Sequence, residues 1–181
     1  MILTGPAIRH AVDRGEITID PFDPDQLNPN SYNYRLGDVL KVAVGGPADP
    51  RQDTELETIR IPSSGFELQP GTVYLGATVE RIGSPRYVAS LIGRSSLGRL
   101  GCFLQISADL AQLGALHRWT LEIVVVQHLT VYAGMRMGQV SFWERVGAGA
   151  PYVGYYGRLD DPSPCSPSAL AGIAVQEGSA A

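Results

Sequence analysis

Trp119-Thr120-Leu121-Glu122-Ile123-Val124-Val125-Val126-Gln127 is the stretch whose reading decides the fold. Its residues are β-branched or aromatic at most positions, and its side chains alternate with a period of two. Trp119, Leu121, Ile123 and Val125 share one face; Thr120, Glu122, Val124 and Val126 share the other. Outward from it, residues 32–36, 39–44, 58–61, 73–79, 87–91, 102–106 and 140–143 also read as strands, with Gly or Pro between most of them. Only one helix is signalled. Thr4 can cap it, Pro6 suits its first turn, Ile8, Ala11 and Val12 give it an apolar face, and Gly15 can stop it. Strands do not alternate with long helices, which argues against a parallel α/β sheet. The expected class is all-β, a β-sandwich or jelly-roll with a short N-terminal helix. Residues 45–57 read as a surface loop. From Gly147 the composition shifts to Gly, Ala, Ser and Pro, with Tyr152, Tyr155 and Tyr156 embedded, and a flexible tail is expected after Pro162. There is no internal repeat.

The whole chain agrees with this. Its 181 residues suit one domain with a sizeable core, and 44% apolar against 18% charged residues excludes disorder as the dominant state. The 21 glycines and 13 prolines punctuate many short strands better than a helical bundle. Fourteen Lys and Arg against 18 Asp and Glu give a net charge of −4, which disfavours a general nucleic-acid binder. Cys102 and Cys165 make no disulfide framework, and no signal peptide or apolar run of membrane length is visible. The chain therefore reads as soluble and cytoplasmic, without a membrane partner. His10, His117 and His128 fit no zinc-hydrolase or zinc-deaminase spacing.

Four clusters could carry chemistry. Gly93-Arg94-Ser95-Ser96-Leu97-Gly98-Arg99 offers two guanidinium groups and two hydroxyls to a phosphate, or is a solvated turn. Glu122 shares its face with two valines. Burial there would raise its pKa toward that of a general base, unless it pairs with an Arg. Gly134-Met135-Arg136-Met137-Gly138-Gln139 reads as a tight turn with both Met residues in the core. The run from Asn28 to Gly37 reads as a turn followed by a strand.

Taken in order, these pieces resemble the dCTP deaminase branch of the dCTP deaminase/dUTPase superfamily, from Met1 to about Tyr156. The opening Met1-Ile2-Leu3, Ile8-Arg9, Ile19-Asp20-Pro21-Phe22 and Ser31 to Gly37 are similar to that branch's N-terminus. Residues 93–101 resemble its motif (K/R)SS-L-(G/A)-R-LG, Ser107-Ala108 its Thr-Ala step, and Thr120-Leu121-Glu122 its Leu-Glu. Residues 134–139 resemble the superfamily's Pro-Gly-Met-x-x-Gly-Gln turn, with Ala133 in place of the Pro. The resemblance implies a dUTPase-like, distorted jelly-roll domain over residues 1–156 and a C-terminal arm over 157–181. It implies homotrimers with sites between neighbours, and metal-independent hydrolytic deamination of a cytosine nucleotide to the uracil nucleotide and ammonia. It makes Glu122 the general base and acid. Ser95 would position water and base, Arg94 and Arg99 would hold the pocket and phosphates, and the Ala108 backbone would hold the water. Ser96, Gln112, Thr120, Gln139 and Tyr156 complete the nucleotide-binding set. No cofactor would be tightly bound; Mg²⁺ would enter with the triphosphate.

Departures cluster in one loop. Ala111-Gln112-Leu113-Gly114-Ala115-Leu116-His117 stands where the family has Ile-Asp-Pro-Gly-(Phe/Trp)-x-Gly, so Gln112 replaces a carboxylate and Ala115 an aromatic. Gln105 stands for a usual His and Asn33 for a usual Asp. Gln112 cannot act as a base, so cleavage of the triphosphate is expected to be absent. Ala115 leaves room, so preference for the deoxy sugar should be relaxed unless His117 refills the space. Two other functions remain to be weighed: a nucleotide-binding or regulatory relative without turnover, and a dUTPase-type diphosphatase. The altered loop favours the first of these, Glu122 disfavours it, and Gln112 disfavours the second.

Overall fold

The computed structural model describes residues 1–105 and 108–167. Helix α1 spans Gly5–Asp13, with Pro6 in its first turn; Ile8 and Ala11 are buried beneath it. Gly15 ends the helical segment at φ +68°, a left-handed conformation that favours glycine. Thr4 occupies the N-cap, but its side chain makes no capping bond; its carbonyl accepts from the Ile8 N–H instead. That part of the helix reading is corrected.

Eleven strands follow: β1 (Thr18–Asp20), β2 (Tyr32–Arg35), β3 (Val39–Ala43), β4 (Leu56–Arg60), β5 (Phe66–Leu68), β6 (Tyr74–Gly83), β7 (Tyr87–Gly93), β8 (Cys102–Leu104), β9 (Leu116–Val125), β10 (Leu129–Val131) and β11 (Arg136–Glu144). All eight expected strands form, within a few residues at their ends. The expected loop over 45–57 gives up its last two residues to β4, where Leu56 and Glu57 pair with Ala43 and Val42. The end of the expected strand at Ile106 lies outside the described residues. Between Arg94 and Arg99 a one-turn helix, α2 (Ser95–Gly98), stands where a turn was expected; Leu97 anchors it in the core.

The pairings are antiparallel. One sheet runs β4-β3-β6-β9-β8, with β1 also on β6; a second runs β2-β11-β7; β5 pairs with β10. The core draws on both larger sheets, with Tyr32, Tyr34 and Phe142 among the largest fully buried side chains and Leu121 and Ile123 beside them. The architecture is the expected mainly-β sandwich. Met137 is fully buried and Met135 packs against the core, as their turn predicted. No helix among the described residues is long and apolar enough to cross a membrane.

Two irregularities shape the site. In β6, Thr78, Val79 and Glu80 together face the single residue Trp119 of β9, a bulge between the Ala77–Thr120 and Arg81–Arg118 pairs. The Glu80 carboxylate is fully buried and holds this bulge to β2, accepting from the Arg35 N–H (2.9 Å) and its Nε (2.6 Å). The second is a close approach at Gly138, where a Cβ would lie 2.0 Å from Tyr34 Oη. The Tyr34 ring is fully buried and its hydroxyl donates to the Ile92 carbonyl, so it has nowhere to move. Gly138→Ala is therefore expected to destabilise the fold by about 1–3 kcal/mol, read as a lowered Tm against wild type.

Candidate active site

Strand β8 pairs with β9 as far as Leu104, opposite Ile123, and then leaves it. The turning point is Gln105, whose φ of +48° is the one positive value for a non-glycine among the described residues. Its side chain takes over the ladder. The Glu122 N–H donates to Gln105 Oε1 (2.9 Å), and Gln105 Nε2 donates to the Thr120 carbonyl (3.3 Å). A side-chain amide thus replaces the peptide that β8 would have supplied. The chain that continues from Ala108 is held by β7 instead: the Leu91 N–H donates to the Asp109 carbonyl and the Ala111 N–H to the Ala89 carbonyl. The parting of β8 from β9 leaves a cavity of about 370 Å³ along the open edge of β9.

Glu122 lines this cavity with Thr120, Gln112, Ala108 and Tyr156, five of the ten residues singled out from the sequence. Gln105, Leu110, Ala115, His117, Trp119, Tyr152 and Leu159 complete the lining. Leu121, Ile123 and Val125 point into the core, as the alternation requires. The Glu122 carboxyl is half-buried, and burial pushes its pKa above the usual carboxylate range. Among the described residues no Lys or Arg pairs with it, so the ion-pair alternative is not realised within the chain. It is also the single carboxylate lining the cavity.

Ser95, Ser96, Arg94, Arg99 and Gln139 do not line this cavity. They form a separate group. Ser95, Ser96 and Arg99 are exposed on and beside α2. Arg94 Nη1 donates to Asn33 Oδ1, and Asn28 joins Asn33 to Ser31, whose hydroxyl donates to Gln139 Oε1 (2.8 Å). One chain therefore carries two separate groups, one with a carboxylate and one with cations and hydroxyls.

Trp119 packs against the core on the face of Leu121 and Ile123, as the alternation predicts, and it also borders the cavity. The Trp119 N–H donates to Thr78 Oγ1 (2.9 Å) and its Nε1–H to the Ile82 carbonyl (2.9 Å). The His117 ring packs against it at a tilt of 37°, with ring centroids 4.1 Å apart. Burial holds the His117 imidazole below its ordinary pKa. From the arm, the Ser163 N–H donates to Thr120 Oγ1 (3.2 Å) and Tyr156 Oη accepts from the Ser166 N–H. Arm residues 168–181 lie outside the described residues, as does Ser107.

The chain is similar to known proteins. A dCTP deaminase, dUMP-forming, from Hathewaya histolytica is 37% identical over 170 residues, covering 94% of this chain and 97% of that one. A dCTP deaminase from Rhodopirellula baltica is 42% identical over 147 residues, covering 81% of this chain and 74% of its own. The crystal structure of 2′-deoxycytidine 5′-triphosphate deaminase from Agrobacterium tumefaciens superposes with a TM-score of 0.62 at 26% identity over 78% of this chain; this chain spans 47% of that one. The dCTP deaminase-like family matches residues 2–145. A match over that much of the chain, with relatives that share its sequence and its fold, means that the chain belongs to the dCTP deaminase-like family.

Proposed function

We propose that this protein hydrolyses the 4-amino group of dCTP, giving the uracil nucleotide and ammonia. The observation that carries this reading is Glu122, a carboxylate without a cationic partner among the described residues, its pKa raised by burial in a cavity of nucleoside size. Water adds at C4 of cytosine while Glu122 takes its proton and passes it to N3. The same carboxylate then takes the proton of the new C4 hydroxyl and hands it to the departing nitrogen, and ammonia leaves as the C4 carbonyl forms. Ala108 lines the cavity beside it and would hold the water through its backbone. Ser95, Arg94, Arg99, Ser96 and Gln139 would come from a neighbouring copy, which is why they sit outside the cavity of their own chain. A closed trimer satisfies every such half-site with its complement. Gln112, Thr120 and Tyr156 would hold the nucleotide, and Mg²⁺ would travel with the triphosphate as part of the substrate.

Gln112 bears on the phosphate end. The single carboxylate of the cavity is engaged in deamination, and a neutral amide cannot activate a second water. Although the Hathewaya relative is named for forming dUMP, we expect this chain to leave the triphosphate intact. The test is a panel of cytosine nucleotides assayed for ammonia and pyrophosphate together. Ammonia without pyrophosphate is expected. Stoichiometric pyrophosphate contradicts the reading of Gln112, and absence of ammonia from every nucleotide contradicts the proposed activity.

A further inference from the structure

Asn33 is a buried amide, 3% exposed, and it lies outside the cavity beside β9. It is the register partner of Gln139 across β2 and β11, and Gln139 pairs in turn with Ile92, two residues before Arg94. The Arg94 side chain reaches back across this row to Asn33. Which end of the amide it meets is fixed from the other side. Asn33 Nδ2 donates to the Gln26 carbonyl (3.0 Å), which can only accept, so Oδ1 faces Arg94. Gln26 is itself pinned: its side chain donates to Asp23 Oδ2 (2.8 Å) and accepts from Arg136 Nε (2.7 Å). Asn28 closes a second ring, donating to Asn33 Oδ1 (3.0 Å) and accepting from its Nδ2 (3.2 Å). Both polar atoms of the Asn33 side chain are thus engaged.

Arg94 is held at both ends. Its carbonyl accepts from the Gly98 N–H (2.9 Å) as α2 begins, and Asn33 takes its Nη1. Asn33 is neutral, and Arg94 has no Asp or Glu partner among the described residues. The guanidinium is therefore aimed without being neutralised. Such a group suits an anion, because its rotamer is fixed before the ligand arrives and its fork can meet phosphate oxygens.

We propose that Asn33 is a positioning residue that aims Arg94 at a phosphate of the nucleotide before the nucleotide binds. This rests on the nucleotide reading of Arg94 given above. Ordering a long side chain only on binding weakens the complex about two- to tenfold, and that is the range Asn33 controls.

The test compares dCTP with deoxycytidine in Asn33→Ala, with Asn33→Asp as the conservative variant that keeps an acceptor toward Arg94. Asn33→Ala is expected to raise KM for dCTP about three- to tenfold with kcat within about twofold, and KM for deoxycytidine by less than about twofold. Asn33→Asp recovers most of the loss. In an Arg94→Ala background, Asn33→Ala should cost nothing further. An unchanged KM for dCTP overturns the proposal. So does an equal rise for dCTP and deoxycytidine, or a rise of full size without Arg94, since Asn33 would then serve only the fold. Asn33→Ser, whose shorter side chain falls short of Arg94, repeats the comparison should Asn33→Ala not fold. Calorimetric titration of the same two ligands in a Glu122→Gln background reads binding without turnover. If wild type releases no ammonia while Asn33→Ala weakens dCTP alone, the deaminase reading fails and the positioning role stands. If ammonia is released and the two losses are equal, the positioning role alone fails. If dCTP does not bind at all, both fail.

Discussion

Glu122→Gln is expected to lower kcat for ammonia release from dCTP by roughly 10²- to 10⁴-fold while nucleotide binding survives. The amide fills the same space but can neither take a proton from water nor hand one to N3. The pH dependence carries the sign of the same argument. Burial raises the Glu122 pKa, and the base form is the ionised one. Activity should therefore fall on acidification at a pH above the ordinary carboxylate range, and this acidic limb of kcat/KM should be absent from the residual activity of the variant. Stability moves the opposite way. A carboxyl whose folded-state pKa is raised stabilises the fold fully below its unfolded pKa and loses that contribution as pH rises through the folded value. At neutral pH the ionised Glu122 is thus a burden on the fold, and Glu122→Gln should have a higher Tm than wild type. A variant that is inactive because it is misfolded would show the reverse. Wild-type ammonia release from Glu122→Gln would remove this residue from the mechanism.

Arg99→Ala is expected to weaken kcat/KM for dCTP about 10- to 150-fold more than for deoxycytidine. Arg99 follows α2, is exposed, and has no acidic partner among the described residues. A charge-assisted bond to a phosphate oxygen is worth about 1.5–3 kcal/mol, which sets that range. The nucleoside has no phosphate to lose, so it serves as the internal control. Equal losses for nucleoside and nucleotide would make Arg99 a structural residue.

The parts of the molecule that local periodicity governs were legible in the sequence. The alternation along β9 put Leu121 and Ile123 in the core and Glu122 outside it, and Gly15 and Pro6 framed α1. What was not legible depends on partners distant in sequence. Strands β1, β5 and β10 are three residues each, too short for a period, and form because Thr18 meets Gly83 and Leu129 meets Leu68. The β6 bulge, which sets three residues against Trp119 alone, has no signal in the sequence. Gln105 was noted only as a departure from the family; nothing local announces that its amide replaces a missing peptide. The order of the motifs likewise gave the candidate residues but not their separation into two groups. That separation appears only once β9 is placed in one sheet and β7 and β11 in the other.

The proposal that each site joins the two groups from neighbouring copies has a direct test. Glu122→Gln and Arg99→Ala are each impaired, but at different halves. When the two are mixed and allowed to exchange subunits, some sites join Glu122 from one chain to Arg99 from the other. Random pairing makes roughly one site in four intact. Ammonia release from dCTP should rise in the mixture well above the sum of the two separate variants, toward about a quarter of the wild-type rate. Activity equal to that sum, in a mixture shown by sedimentation to contain mixed oligomers, would contradict a site assembled from two copies.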